Sequence, residues 1–264
     1  MPLPSFLAPN LPTDVRAMNA TALVFAGAAA IALLAAAMLW AIRQPVFSIR
    51  TVRIEGEVTR NSIATLRANT APSLRGNFFA LDLVAARRAF EALPWVRKAT
   101  VNRLWPDRLT VRLEEHQAAA LWGNREGSDL LVNHQGEVFA ANLGDVEDQD
   151  LPTLQGPDGS AGTMLALLRR LEPLMTRLDG RIATLLLSGR GSWTIELEGG
   201  ARIELGRGSE GELFERTQQF AATVGGVMAR YERALVRADL RHHQGYALRL
   251  KGISTVNDVV APRN

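Results

Sequence analysis

From Ala20 to Ile42 the chain reads ATALVFAGAAAIALLAAAMLWAI, an apolar run without a charged residue. As a helix rising 1.5 Å per residue it is about 35 Å long, enough for the roughly 30 Å hydrocarbon core of a bilayer. A segment of this kind has three uses: it crosses a membrane, it is buried whole in a soluble core, or it is removed as a signal peptide, here with Ala35-Ala36-Ala37 as the small-residue site. The run exceeds the roughly 7–15 residues of a signal h-region, which favours an uncleaved anchor. Residues 20–42 are therefore read as one transmembrane helix behind a short tail, residues 1–19. Arg16 is opposed by Asp14 before the span, whereas Arg43, Arg50 and Arg53 follow it. A positive-inside count puts the large part of the chain in the cytoplasm, although long domains cross largely regardless of charge.

Composition closes off several chemistries. Thirty basic and 27 acidic residues are interleaved without a block of like charge, which argues against a nucleic-acid-binding tail. The chain has no cysteine, so disulfides, thiolate nucleophiles, iron–sulfur clusters and cysteine zinc sites are excluded. The acidic run GDVEDQD, Gly144 to Asp150, lacks the spacing and central glycine of a calcium loop and reads as a solvated loop. No G-x-S-x-G or H-E-x-x-H occurs, and His116, His134, His242 and His243 are the only histidines. Adjacent His242 and His243 on a strand would point to opposite faces and could not chelate one metal together. Nothing pairs a nucleophile with a base, and no enzyme, cofactor or metal is expected.

After Gln44-Pro45 the pattern changes. Val52 and Ile54 alternate with Arg53 and Glu55, the period of a half-buried strand ended by Gly56. Thr59 to Thr70 reads as a helix with Ile63 and Leu66 inward. Asp82 to Leu93 reads as a second, capped by Asp82, stopped by Pro94, and carrying Leu83, Ala86, Phe90 and Leu93 on one face. Ala99, Val101 and Arg103 share a face of the next strand. Trp105 to Arg108 turns the chain, and Leu109, Val111 and Leu113 alternate along the last strand. The unit is β-α-α-β-β and occupies residues 46–116.

Residues 117–256 read as short strands with a few helices. A hairpin turns at Asn133 to Gly136, an amphipathic helix runs from Gly162 to Leu178, and a second hairpin turns at Gly199-Gly200. A helix from Gly211 to Tyr231 follows, then two strand-like runs around Gln244-Gly245. Residues 257–264 read as a tail. The fold class is thus α+β, with the second domain mainly antiparallel.

Gly206, Gly208 and Gly211 spell G-x-G-x-x-G, the turn that lays a pyrophosphate on a helix N-terminus in dinucleotide-binding folds. Ala201 to Leu205 alternates, however, as a half-exposed antiparallel strand does, and Glu210 lies in the loop where the phosphates would approach. Asp239 lies well beyond the usual place of the ribose-binding acid. The glycines are read as a tight strand-to-helix turn with Ser209 as cap, leaving a membrane-anchored nucleotide-binding enzyme as a remote alternative.

Four strings carry a family resemblance: LPWVRKATVNRLWPDRLTVRLEEHQAAALW from Leu93, LPTLQGPDGS from Leu151, SWTIELEGGARIELGRG from Ser192 and ADLRHHQGYALRL from Ala238. Together, behind a single span, the chain resembles the FtsQ family of bacterial division proteins, called DivIB in other lineages. The resemblance implies a single-pass type II protein of the inner membrane, with a POTRA domain and a β-domain in the periplasm, opposite to the charge count. It implies a non-enzymatic scaffold at the division septum that binds FtsB and FtsL and links early to late division proteins. It further implies that Arg241, His242, His243, Gln244, Gly245, Tyr246, Ala247, Leu248, Arg249 and Leu250 form a terminal strand whose free edge accepts a strand of FtsB, although Leu250 stands where the family has Trp. The POTRA domain and the transmembrane helix would serve other division proteins, with Arg108, Thr110 and Arg112 directed outward. A POTRA-bearing component of protein transport or outer-membrane assembly is the alternative, disfavoured by a single POTRA unit and by the absence of barrel-like strands.

Overall fold

The structure, a computed structural model, describes residues 13–42, 44–56, 59–60, 63–74, 77–123, 129–176, 178, 180–242 and 245–252. Its first element is α1 (Thr13–Ile42), whose apolar part, Met18–Ile42, is not covered by the rest of the described chain. That exposure removes the buried-helix reading. Contacts divide the chain into two compact units, one drawn from the ranges 1–56, 63–90 and 99–113, the other from 57–62, 91–98 and 114–264.

In the first unit β1 (Thr51–Glu55) is followed by α2 (Ile63–Thr70), α3 (Leu83–Glu91), β2 (Val96–Leu104) and β3 (Arg108–Glu115), so the β-α-α-β-β order holds. The three strands form one sheet in the order β1-β3-β2, with β1 parallel to β3 and Val52 opposite Leu109. Leu66, Ala86 and Phe90 on the helices and Ala99, Val101, Leu109 and Val111 on the strands are among its buried apolar residues. The side chain of Ile63 lies outside the described residues. Gly56 ends β1 at φ +120°, where an added Cβ would sit 2.2 Å from the Leu113 carbonyl oxygen; glycine is required there. The Asp82 carboxylate accepts from the N–H groups of Val84 (2.8 Å) and Ala85 (3.1 Å), capping α3 as its sequence suggests.

The expected helical start at Thr59 is corrected: α2 begins at Ile63. Glu115, in the second unit with Thr59, accepts from the Thr59 N–H and hydroxyl (3.0 Å each) and from the Arg60 N–H (3.3 Å). Those amides would lack an intrahelical acceptor in the first turn of a helix in any case, so the contact ties residues 59–60 to the end of β3 rather than deciding where α2 begins.

The second unit is built on β4 (Ala118–Trp122), β5 (Leu130–Asn133), β6 (Val138–Ala140), β7 (Thr153–Gln155), α4 (Ala161–Thr176), β8 (Ile182–Leu187), β9 (Trp193–Leu197), β10 (Arg202–Gly206), α5 (Glu210–Tyr231), β11 (Leu235–Asp239) and β12 (Ala247–Leu250). The strands make one nine-stranded sheet in the order β12-β11-β10-β9-β8-β7-β4-β5-β6. Pairing is mostly antiparallel, but β11 with β10, β8 with β7 and β7 with β4 are parallel. The helices α4 and α5 contact each other and this sheet, burying Met164, Leu168, Leu171 and Phe220 with Leu154, Leu185, Ile195 and Ile203. Ser209 caps α5 in a reciprocal box: its hydroxyl accepts from the Glu212 N–H (3.4 Å) while the Glu212 carboxylate accepts from the Ser209 N–H (2.8 Å).

A polar cluster backs β5. Arg97 grips Glu137 through Nε (2.7 Å) and Nη2 (3.2 Å), and Asn133 donates to both Glu137 (2.6 Å) and His116 Nδ1 (2.8 Å). The Arg97 and Asn133 hydrogen bonds hold the Glu137 carboxyl at about 2, below its ordinary 4.5. His116 is lowered, chiefly by burial, and its ring stacks on Phe139 with centroids 4.0 Å apart.

Two stability outcomes follow from these contacts. Ser209→Ala removes one half of the capping box and should cost about 1 kcal/mol in guanidinium unfolding. Glu137 is depressed in the folded state, so its contribution is complete above the ordinary carboxylate value and is lost as pH falls from about 4.5 toward 2. Glu137→Gln should lower stability at pH 6 by less than about 1 kcal/mol, because the pair is exposed, and the gap to wild type should close as the pH approaches 2. A gap that stays constant across that range would refute the assignment.

Candidate functional site

The sheet ends at β12. This strand pairs with β11 alone, Ala247 opposite Asp239 and Leu248 opposite Ala238, and no strand lies beyond it among the described residues. Lys251 donates its N–H to the Ala234 carbonyl (2.9 Å), and the irregularity in pairing falls on β11 between Leu235 and Arg237. Antiparallel alternation along β12 then turns the Ala247 and Arg249 amides toward β11 and the Leu248 and Leu250 amides toward the open edge. The side chains of Ala247 and Arg249 are exposed, Leu248 packs on the core and Leu250 is buried. Buried Leu250 is thus unavailable to a partner through its side chain.

The strand is fastened by the residue before it. The Tyr246 ring meets Phe220 of α5 edge to face at 5.2 Å, and its hydroxyl lies 2.6 Å from Thr223 Oγ1. Of the ten residues the sequence assigns to a terminal strand, only Ala247 to Leu250 are strand; Arg241, His242, Gly245 and Tyr246 form the approach, and His243 and Gln244 lie outside the described residues. His242 sits in a bend rather than on a strand, which corrects the premise of the two-face argument but leaves it exposed.

Arg241 organises that approach. Its guanidinium donates to Asp239 through Nε (2.8 Å) and Nη2 (2.5 Å), its N–H donates to the same carboxylate (3.0 Å), and Glu204 lies 3.3 Å from Nη2. The Arg241 hydrogen bonds hold Asp239 at about 2, and the same contacts raise the arginine further. Beside it a cavity of about 390 Å³ is lined by Ser188, Arg190, Ser192, Gly206, Arg207, Arg216 and Arg241. A second, of about 510 Å³, reaches from Arg216 and Gln219 on α5 to His242 and Tyr246. Arg190, Arg207 and Arg216 escaped the sequence reading because they come from a turn, a loop and a helix that are separate in the chain. The signal within reach was Arg207, inside the glycine string itself.

The glycine string also needs correction. The strand β10 is antiparallel to β9 on one side but parallel to β11 on the other, so β10-α5-β11 is a parallel crossover of the kind a nucleotide turn requires. The occupant of the turn nevertheless opposes nucleotide binding. The Glu212 carboxylate covers the Ser209 amide, 2.9 Å from where a Cβ on Gly208 would stand, and Arg216 donates to the Leu205 and Arg207 carbonyls. Glu210, suspected of that role, instead faces Arg170 at 3.7 Å. A carboxylate holds the place a pyrophosphate takes in such a turn.

Arg108 and Arg112 are exposed and Thr110 half-buried on β3, alternating with buried Leu109 and Val111. Because β3 lies between β1 and β2, its backbone is paired on both sides; only side chains are left for a partner. Arg112 and Arg53 both approach Glu55, at 3.8 and 3.3 Å. Among the described residues no three His, Asp or Glu side chains converge as metal ligands.

Residues 47–116 match the family described as POTRA domain, FtsQ-type, and residues 120–241 match Cell division protein FtsQ/DivIB, C-terminal. Three relatives are each named Cell division protein FtsQ. That of Thiomonas arsenitoxydans is 37% identical over 250 residues, covering 94% of this chain and 92% of the relative. That of Burkholderia pseudomallei is 37% identical over 246 residues, covering 93% and 96%. That of Bordetella pertussis is 36% identical over 255 residues, covering 90% and 92%. With both family models matched and relatives that similar over most of their length, the protein belongs to the FtsQ family of cell division proteins.

Proposed function

We propose that this protein is a non-enzymatic scaffold of the divisome, anchored by α1 in the inner membrane, with residues 46–116 and 117–256 as POTRA and β-domains in the periplasm at the septum. In this reading the free edge of β12 accepts a strand of FtsB, in complex with FtsL. Other division proteins, early and late, engage the POTRA domain and α1. The observation that carries it is the outer edge of β12, to which no strand pairs among the described residues, in a chain of the FtsQ family. An edge strand supplies main-chain donors and acceptors to an incoming strand, and specificity comes from neighbouring pockets. The arginine-lined cavity beside Arg241 would favour carboxylates on that partner.

The test uses the full chain in micelles, titrated by calorimetry with the FtsB–FtsL complex of the same organism. Leu248 turns its amide outward, so Leu248→Pro removes an edge donor without breaking the β11 ladder, and Leu248→Ala supplies the control for lost packing. Binding should survive Leu248→Ala and fall at least about tenfold in Leu248→Pro, roughly 1.4 kcal/mol. Equal weakening by both would move the site off the edge, and no binding by wild type would remove FtsB and FtsL as partners.

A further inference from the structure

Where the chain leaves α1, the loop Asn77 to Leu81 is tied directly to the end of the helix. Asn77 Nδ2 donates to the Ile42 carbonyl (2.5 Å), the Phe78 N–H donates to the Phe47 carbonyl (2.7 Å), and Ser48 bridges Asn77. From the other side Arg103 on β2 donates through Nε to the Phe78 carbonyl (2.7 Å) and through Nη2 to the Leu81 carbonyl (2.6 Å). The loop also closes on itself: Asn77 Oδ1 accepts from Phe79, and the Asn77 carbonyl accepts from Ala80 and Leu81. The amides from Phe78 to Leu81 are therefore all satisfied within the protein. With the Asn77, Phe78 and Leu81 carbonyls also taken, most of the polar backbone of the loop is paired, which lowers its cost of entering a layer poor in water.

What this loop presents is apolar. Phe79 is 49% exposed while held edge to face against Phe47 at 5.2 Å and Phe78 at 5.3 Å; Val46 is 62% exposed. Trp40, two residues inside the helix end, is 69% exposed, at the depth where aromatic residues mark the membrane–water boundary. Met18–Ile42 is about 37 Å long as a helix, a few ångströms more than the hydrocarbon core. The end of the helix therefore stands in the headgroup layer, and a loop bonded to Ile42 stands there with it.

We propose that Phe79 and Val46 insert into the headgroup–acyl boundary, docking the 77–81 loop on the bilayer as a second contact beside the span. The inference rests on α1 crossing the membrane. The bilayer is the occupant because the loop is bonded to the last residue of the span, so lipid is the first material that it meets. Docking at two points restrains the tilt of the first unit on α1, which a single span leaves free to swivel.

The native chain has no cysteine, so single cysteines report cleanly. Phe79→Cys, Val46→Cys and Leu33→Cys in the full chain are labelled with an environment-sensitive fluorophore. Each is reconstituted in phosphatidylethanolamine–phosphatidylglycerol vesicles carrying nitroxides high or deep on the acyl chain. Leu33, in the middle of the span, should be quenched by the deep nitroxide, and residues 46 and 79 by the shallow one with protection from iodide. Quenching at 33 with free iodide access at 46 and 79 overturns the docking and leaves the span intact. Protection of 46 and 79 from both lipid nitroxide and iodide also overturns it, because protein then covers the patch. Loss of lipid quenching at 33 sinks the span and the docking together. Val46→Cys keeps Phe79 in place, so the outcome holds even where Phe79→Cys disturbs the loop.

Discussion

A backbone amide has to find a partner, and in a sheet that does not close on itself the requirement fails at the two outer strands. Here the ladder runs through nine strands and, among the described residues, ends at β12 on one side. Much of the surrounding structure serves to hold that last strand still while leaving its outer side open. Tyr246 pins its start to Phe220 and Thr223 of α5. Arg241 binds Asp239 at the end of β11 and fixes how the chain leaves that strand. Gly206, at φ +81°, lets the chain turn from β10 into α5 where a Cβ would sit 2.8 Å from Arg241 Cγ. The crossover, its glycine and the approach to the edge are one mechanical assembly.

A comparable concentration of contacts surrounds Trp95, which holds φ +68°, an uncommon value for a bulky residue. Its indole N–H donates to Asp145 (2.8 Å), the Arg60 guanidinium lies 4.5 Å over its ring, and Phe139 meets it edge to face at 5.3 Å. Its carbonyl accepts from His116 (2.8 Å). Strain of this sort persists only when several neighbours specify the same conformation. The Trp95 indole accordingly belongs to a small buried cluster with Leu131, Ala141 and Val146.

Elements whose signals are local could be read from the chain. The apolar run, the alternation of β3, the Asp82 and Ser209 caps and the turns at Asn133 and Gly200 each declare themselves within a few residues. Parallel pairing does not. That β10 lies beside β11 across a 22-residue helix, and that β7 sits between two parallel neighbours, depends on which distant strands share a core. The same limit governed the site. Alternation suggested a strand near Leu248, and family resemblance suggested that its edge is used. The direction of its amides, the burial of Leu250 and the gathering of Arg190, Arg207, Arg216 and Arg241 are consequences of pairing and packing. The tie between Thr59 and Glu115, 56 residues further on, is equally invisible along the chain, and α2 begins only at Ile63.

One rule about amides has opposite solutions at β12 and at the 77–81 loop, the two places where a partner surface is proposed. At β12 the outward amides of Leu248 and Leu250 have no strand partner among the described residues, and water can satisfy such donors until a protein does. In the 77–81 loop the amides from Phe78 to Leu81 are already satisfied, by Asn77 or by the Phe47 carbonyl, and Arg103 secures two carbonyls as well. An open amide at the headgroup–acyl boundary would find fewer partners than in water, and the cost rises the deeper the loop sits. The difference in closure therefore tracks the medium each segment is proposed to meet. Opening the loop, for example by removing the Asn77 side chain, should weaken its seat at the membrane even with Phe79 intact, since the aromatic ring can enter the interface only if the backbone that carries it can follow.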